Sequence, residues 1–135
     1  MTDTKILAAA LEAYFAPWVL ALGLTVDAVA QDSVTLRLPL GHALVREGGT
    51  LCGQAMLAAA DTAMALAIIN HFGQFRPCTT VTLTSSFLKP LSTQDALVQA
   101  TVLRVGKSLA FGEMNVYGAS DGKSVFRATA TYALL

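Results

Sequence analysis

The chain has 135 residues, enough for one domain and too few for two comfortable cores. Apolar residues make up 54% of it and charged residues 13%, which excludes disorder and points to apolar surface buried between subunits. Nine basic and nine acidic side chains cancel, so no strong field would recruit nucleic acid or an anionic membrane.

Cys52, Cys78, His42 and His71 form no metal-type cluster, and two cysteines are too few for a disulfide scaffold. No zinc pattern emerges, and the expected setting is a reducing cytoplasm.

The first element expected is an amphipathic helix over about residues 3–15. Ile6, Leu7, Ala10, Leu11, Tyr14 and Phe15 fall on one stripe, with Thr2 or Asp3 as cap. Pro17 breaks it. Residues 6–24 are apolar and Ala28-Val29-Ala30 imitates a signal-peptidase site. However, Asp3 balances Lys5, and Glu12 and Pro17 interrupt the run, so neither an export signal nor a membrane span is expected. Strands follow from Leu22 to Leu40, where Val34, Leu36 and Leu38 alternate with Thr35 and Arg37.

Beyond Gly48-Gly49 comes the longest helix, about residues 52–72. It is rich in alanine and apolar on all sides, as befits a helix covered all round. After Pro77 the pattern predicts four strands, at 79–88, 96–105, 109–117 and 125–134, with turns at Gly106-Lys107 and Ser120–Lys123. One buried helix with antiparallel strands gives a single α+β domain over 1–135, its curved sheet wrapping the helix.

Asp61 stands out as the only carboxylate between Gly48 and Gln74, well inside the helix and among alanines. A buried carboxylate is costly unless hydrogen-bonded, so either it faces solvent or local donors, or it belongs to a site. Gln54, seven residues earlier, shares its face at about 10 Å. Gly53 opens the helix N-terminus, where free N–H groups favour negative charge such as a phosphate or a developing oxyanion.

Leu51-Cys52-Gly53-Gln54 followed by Asp61-Thr62-Ala63 resembles the central-helix motif of PaaI-like hotdog thioesterases, relatives of 4-hydroxybenzoyl-CoA thioesterase. Val81-Thr82-Leu83 through Phe87-Leu88-Lys89-Pro90 is similar to that family's next strand. Gly106–Phe111 resembles its strand-turn-strand segment, and Asp121-Gly122-Lys123 with Ala128–Tyr132 its closing hairpin. Each piece is loose, but the ordered set, from about Arg46 to Tyr132, is specific.

The resemblance implies a hotdog homodimer, often a dimer of dimers, that hydrolyses acyl-CoA without metal or cofactor. One subunit would present the Gly53 N–H to the thioester carbonyl. The other would present Asp61, as general base or nucleophile, with Thr80 orienting water. Lys107 and Ser108 match the turn that often lies near CoA phosphates. Cys52 and Arg46 stand where relatives carry His and Asn, and Gln54 replaces a second Gly, which bears on rate and on substrate.

Cys52 at a helix N-terminus also has a nucleophile reading, against the blander one of a small half-buried residue. His71 fits the helix C-terminus as a dipole partner. Hotdog hydratases place a His five residues after the Asp, where this chain has Leu66, so hydration is disfavoured. A non-catalytic acyl-CoA sensor remains the alternative from another class. A pocket lined by Met56, Met64, Phe72 or the N-terminal aromatics would accept aromatic and medium-chain acyl groups alike.

Overall fold

A computed structural model describes residues 3–135. Helix α1 (Thr4–Tyr14) starts at Asp3, whose Oδ1 accepts the Lys5 N–H at 2.8 Å, while the other candidate cap, Thr2, lies outside the described residues. Leu7, Ala10 and Leu11 of α1 enter the core. Pro17 does more than end α1. It opens a second helix, α2 (Pro17–Leu20), because its fixed φ suits a first helical position where no N–H is needed.

Strands β1 (Thr25–Val29) and β2 (Ser33–Leu38) form a hairpin, and a 3₁₀ turn at His42–Leu44 leads to the long helix α3 (Gly53–Phe72). Strands β3 (Cys78–Phe87), β4 (Ala96–Val105), β5 (Leu109–Gly118) and β6 (Ser124–Leu134) complete one antiparallel sheet in the order β1-β2-β4-β5-β6-β3. All four later strands lie within one residue of the bounds expected from their patterning. This is the hotdog fold: a six-stranded antiparallel sheet curled around one central helix.

The alanines of α3 set how close helix and sheet can come. Ala59, Ala60 and Ala63 are fully buried, and the helix packs on β4, β2 and β5. At Gly112 on β5 there is no room for a side chain: an added Cβ would collide with Met64 of α3 and stand 2.9 Å from the Thr101 carbonyl oxygen. Asn70, buried near the helix end, donates to the Ala30 carbonyl at 2.9 Å and ties α3 to the β1–β2 turn. Gly73 closes α3 in the left-handed conformation, φ 70°. By length and composition α3 could cross a membrane, but 67% of its most apolar stretch is buried inside this fold.

Strand β3 holds an edge of the sheet. It pairs only with β6 among the described residues, and Val81, at a bulge between Thr80 and Thr82, is 55% exposed. A ten-residue edge with exposed apolar side chains is a template for further pairing.

Candidate active site

Asp61 sits midway along α3, half-buried, at a cavity of about 250 Å³. Register brings its partners together. Thr80 on β3 lies directly opposite Tyr132 on β6, so the two side chains share the sheet face turned toward α3. The Thr80 hydroxyl donates to Asp61 Oδ1 at 2.8 Å, and the Tyr132 hydroxyl donates to the same oxygen. Tyr132 also lies 3.0 Å from the Asp61 main-chain oxygen. With two donors on Oδ1, the other carboxylate oxygen has no partner among the described residues and is the one free to act.

Burial pushes the Tyr132 phenol far above its ordinary range, and the neighbouring Asp61 charge adds to this, so it stays a protonated donor at any working pH. Cys78 lines the same cavity. Burial first, then Asp61, raises its thiol, which keeps it protonated and a poor nucleophile.

Gly53 opens onto a different cavity of about 430 Å³, shared with Arg46, Thr50, Met56, Phe87 and Lys89. Cys52 occupies the cap position of α3 without capping it, and neither the Gly53 nor the Gln54 N–H has a partner among the described residues. The Thr50 hydroxyl oxygen on the same cavity is buried and likewise without a partner. An added Cβ at Gly53 would stand 3.0 Å from the Phe87 ring, which would have to give by a few tenths of an ångström. Eight residues of helix put Gly53 and Asp61 about 12 Å apart.

The structure thus joins Asp61 to Thr80 and leaves Gly53 apart from them within one chain. Arg46 lines the Gly53 cavity, whereas Cys52 and Gln54 line neither of these two cavities. Cys52 packs half-buried against the core, and its N–H donates to the Leu44 carbonyl at 2.9 Å, which matches the blander reading. Lys107 and Ser108 sit exposed at the β4–β5 turn, also away from both cavities.

Among the expected pocket residues, the N-terminal aromatics Phe15 and Trp18 line the Asp61 cavity. Met64 does not, being fully buried against Gly112, and Met56 faces the Gly53 cavity instead. Phe72 is covered by the Arg76 guanidinium, 4.9 Å above its ring.

Tyr132 and Thr50 were not singled out from the sequence. For Tyr132 a signal existed: alternation along β6 turns Ala128, Ala130 and Tyr132 inward, and a buried tyrosine needs a partner for its hydroxyl.

The family model of the thioesterase superfamily matches residues 48–125, from the loop before α3 through the start of β6. The chain belongs to the thioesterase superfamily. A candidate esterase of Thermoplasma acidophilum is 26% identical over 86 residues, which span 64% of this chain and 64% of that protein, just under two thirds of its length. A candidate thioesterase structure from Silicibacter sp. TM1040 is 29% identical with a TM-score of 0.88, covering 100% of this chain and 93% of that one. A thioesterase of Haemophilus influenzae shares the fold at 17% identity and TM-score 0.88, covering 100% and 92%. The family match includes both α3, with Gly53 and Asp61, and β3, with Thr80.

Proposed function

We propose that this superfamily member hydrolyses acyl-CoA thioesters in a site shared by two subunits. The observation that carries the reading is the Asp61 carboxylate, fixed through one oxygen by Thr80 and Tyr132 while its other oxygen stays free beside a cavity with an apolar wall of Phe15, Trp18 and Val19. A structural carboxylate has no use for that arrangement on a helix of alanines.

The separation of Gly53 from Asp61 within one chain supports the two-subunit form. Pairing of the exposed β3 edges would set two α3 helices side by side, so that the Asp61 cavity of one chain meets the partner subunit's Gly53. In the reaction, Asp61 takes a proton from water held near Thr80, and the hydroxide adds to the thioester carbonyl. The partner subunit's Gly53 N–H stabilises the oxyanion, and collapse of the adduct breaks the C–S bond. CoA leaves as a thiolate and the acyl group as a free acid. Arg46 and Lys89 on the Gly53 cavity supply positive charge for the phosphates of CoA.

The test is CoA release, followed with a thiol reagent across acetyl-, hexanoyl- and benzoyl-CoA, for wild type and Asp61→Asn. Turnover that falls at least about a hundredfold in a folded Asp61→Asn variant is the expected result. Binding without CoA release by wild type would replace hydrolysis with an acyl-CoA-binding role, to which the Cys52 and Arg46 departures would then belong.

A further inference from the structure

The Asp61 cavity has one wall from outside the central helix and the sheet. That wall is Phe15, Trp18 and Val19, contributed by the α1–α2 corner. The helix side of the cavity is low: Ala58 and Ala65 flank Asp61, one turn on either side, and leave space above the carboxylate. At about 250 Å³ the cavity is smaller than the space a whole drug-sized ligand occupies, so it takes only one portion of an acyl-CoA. Its apolar wall fits the acyl portion, not the phosphates.

Trp18 is 63% exposed, an unusual position for the bulkiest apolar side chain in the protein. It sits on a four-residue helix fixed by Pro17 and by Val19, which is buried in the core. The indole is therefore presented from an anchored support, beside the one carboxylate with a free oxygen in the cavity.

We propose that Trp18 is the acyl-selecting residue of the site: its indole, with Phe15 beside it, covers the acyl group while Asp61 acts at the thioester. This rests on the thioesterase reading above. A short acyl group such as acetyl does not reach the indole, whereas a six-carbon or aromatic acyl group buries apolar surface against it and gains binding. Trp18 thus sets the ratio of kcat/KM between bulky and short acyl-CoAs, mostly through KM.

Because Trp18 is the only tryptophan in the chain, its fluorescence reports on this wall alone. The experiment titrates the intact protein with hydrolysis-resistant thioether analogues of acetyl-, hexanoyl- and benzoyl-CoA. In parallel, the hydrolysis of the three thioesters is compared in wild type, Trp18→Ala and Trp18→Phe. Saturable fluorescence changes are expected with the hexanoyl and benzoyl analogues and not with acetyl. Trp18→Ala lowers the benzoyl-to-acetyl ratio by about tenfold or more, and Trp18→Phe recovers most of it.

An equal loss on all three thioesters, or a fluorescence response to none of the analogues or to all three alike, overturns the assignment. Should wild type hydrolyse none of the three thioesters, the thioesterase reading falls. The fluorescence titration still decides by itself whether acyl groups meet Trp18.

Discussion

The Tyr132 hydroxyl donates to the Asp61 carboxylate across the interface between β6 and α3, with the Asp61 main-chain oxygen 3.0 Å away. A phenol has one hydrogen to give, and the charged carboxylate is the stronger acceptor. Tyr132 thus holds the carboxylate in one rotamer and leaves Thr80 to donate to the same oxygen. Phenylalanine at 132 would fill the same volume and withdraw that donor. Tyr132→Phe is expected to lower kcat by on the order of tenfold with little change in KM, since positioning and not substrate binding is lost. Steady-state kinetics check this, and a matching rise in KM would show that Tyr132 meets the substrate instead.

The Asp61 half of the candidate site is legible because a carboxylate among alanines violates the pattern of a buried helix, and such a violation singles the residue out. Tyr132 was harder to see. Its partnership with Asp61 depends on the β3–β6 register, which places residues 80 and 132 opposite each other with a bulge in between. No local pattern encodes that register. Helix α2 was hidden for another reason: Pro17 ends one helix and begins the next, and a run of four residues is too short to show a period. Met64 was misplaced as a pocket residue because α3 is apolar on every face, so its composition gives no sign of which face meets the sheet.

Gly112 tests the packing of that helix. Alanine there would bring Cβ to 2.9 Å from the Thr101 carbonyl oxygen, a backbone atom that can move only with β4. The Met64 clash can be relieved by a rotamer change, whereas the carbonyl clash cannot. Gly112→Ala should destabilise the fold by about 1–3 kcal/mol. Adding Met64→Ala should fail to restore it, as read by urea unfolding.

Asp95 links stability to pH. The Leu40 N–H at 2.8 Å and the Arg37 guanidinium at 2.7 Å hold its carboxyl below the usual carboxylate range. The folded value lies below the unfolded one, so its stabilisation is complete above about pH 4 and is lost as pH falls through the folded value. Both side chains are a third or more exposed, which limits the contribution to about 1 kcal/mol after screening. Asp95→Asn should melt at a lower temperature than wild type at pH 7, and the gap should shrink toward pH 3. A gap that stays constant with pH would assign the loss to packing.

The exposed edge of β3 predicts a dimer that one charge can split. Asp in place of Val81 would put a carboxylate on an edge where a second β3 is proposed to pair, and burying it there without a partner is costly. Because Val81 is 55% exposed within one chain, the substitution leaves the subunit's own core intact. Light scattering should show Val81→Asp shifting toward monomer, with thioesterase activity falling in proportion.

Proline at position 53 separates the N–H of Gly53 from the helix that carries it. Gly53 occupies the first position of α3, where proline is tolerated because that N–H has no helical acceptor. Cys52 already has φ −68° and ψ 146°, the extended conformation that a residue before proline prefers. The ring would press on Phe87, an exposed side chain with room to turn. Gly53→Pro should therefore fold and dimerise, yet lose about a hundredfold or more in kcat, as removal of an oxyanion donor does elsewhere. Mixing it with Asp61→Asn under conditions that exchange subunits gives a sharper test. Half of the random dimers pair one chain of each kind, and each such dimer rebuilds one of its two sites, so about a quarter of wild-type activity should return. Were both groups drawn from a single chain, every site in the mixture would lack one of them and no activity would reappear.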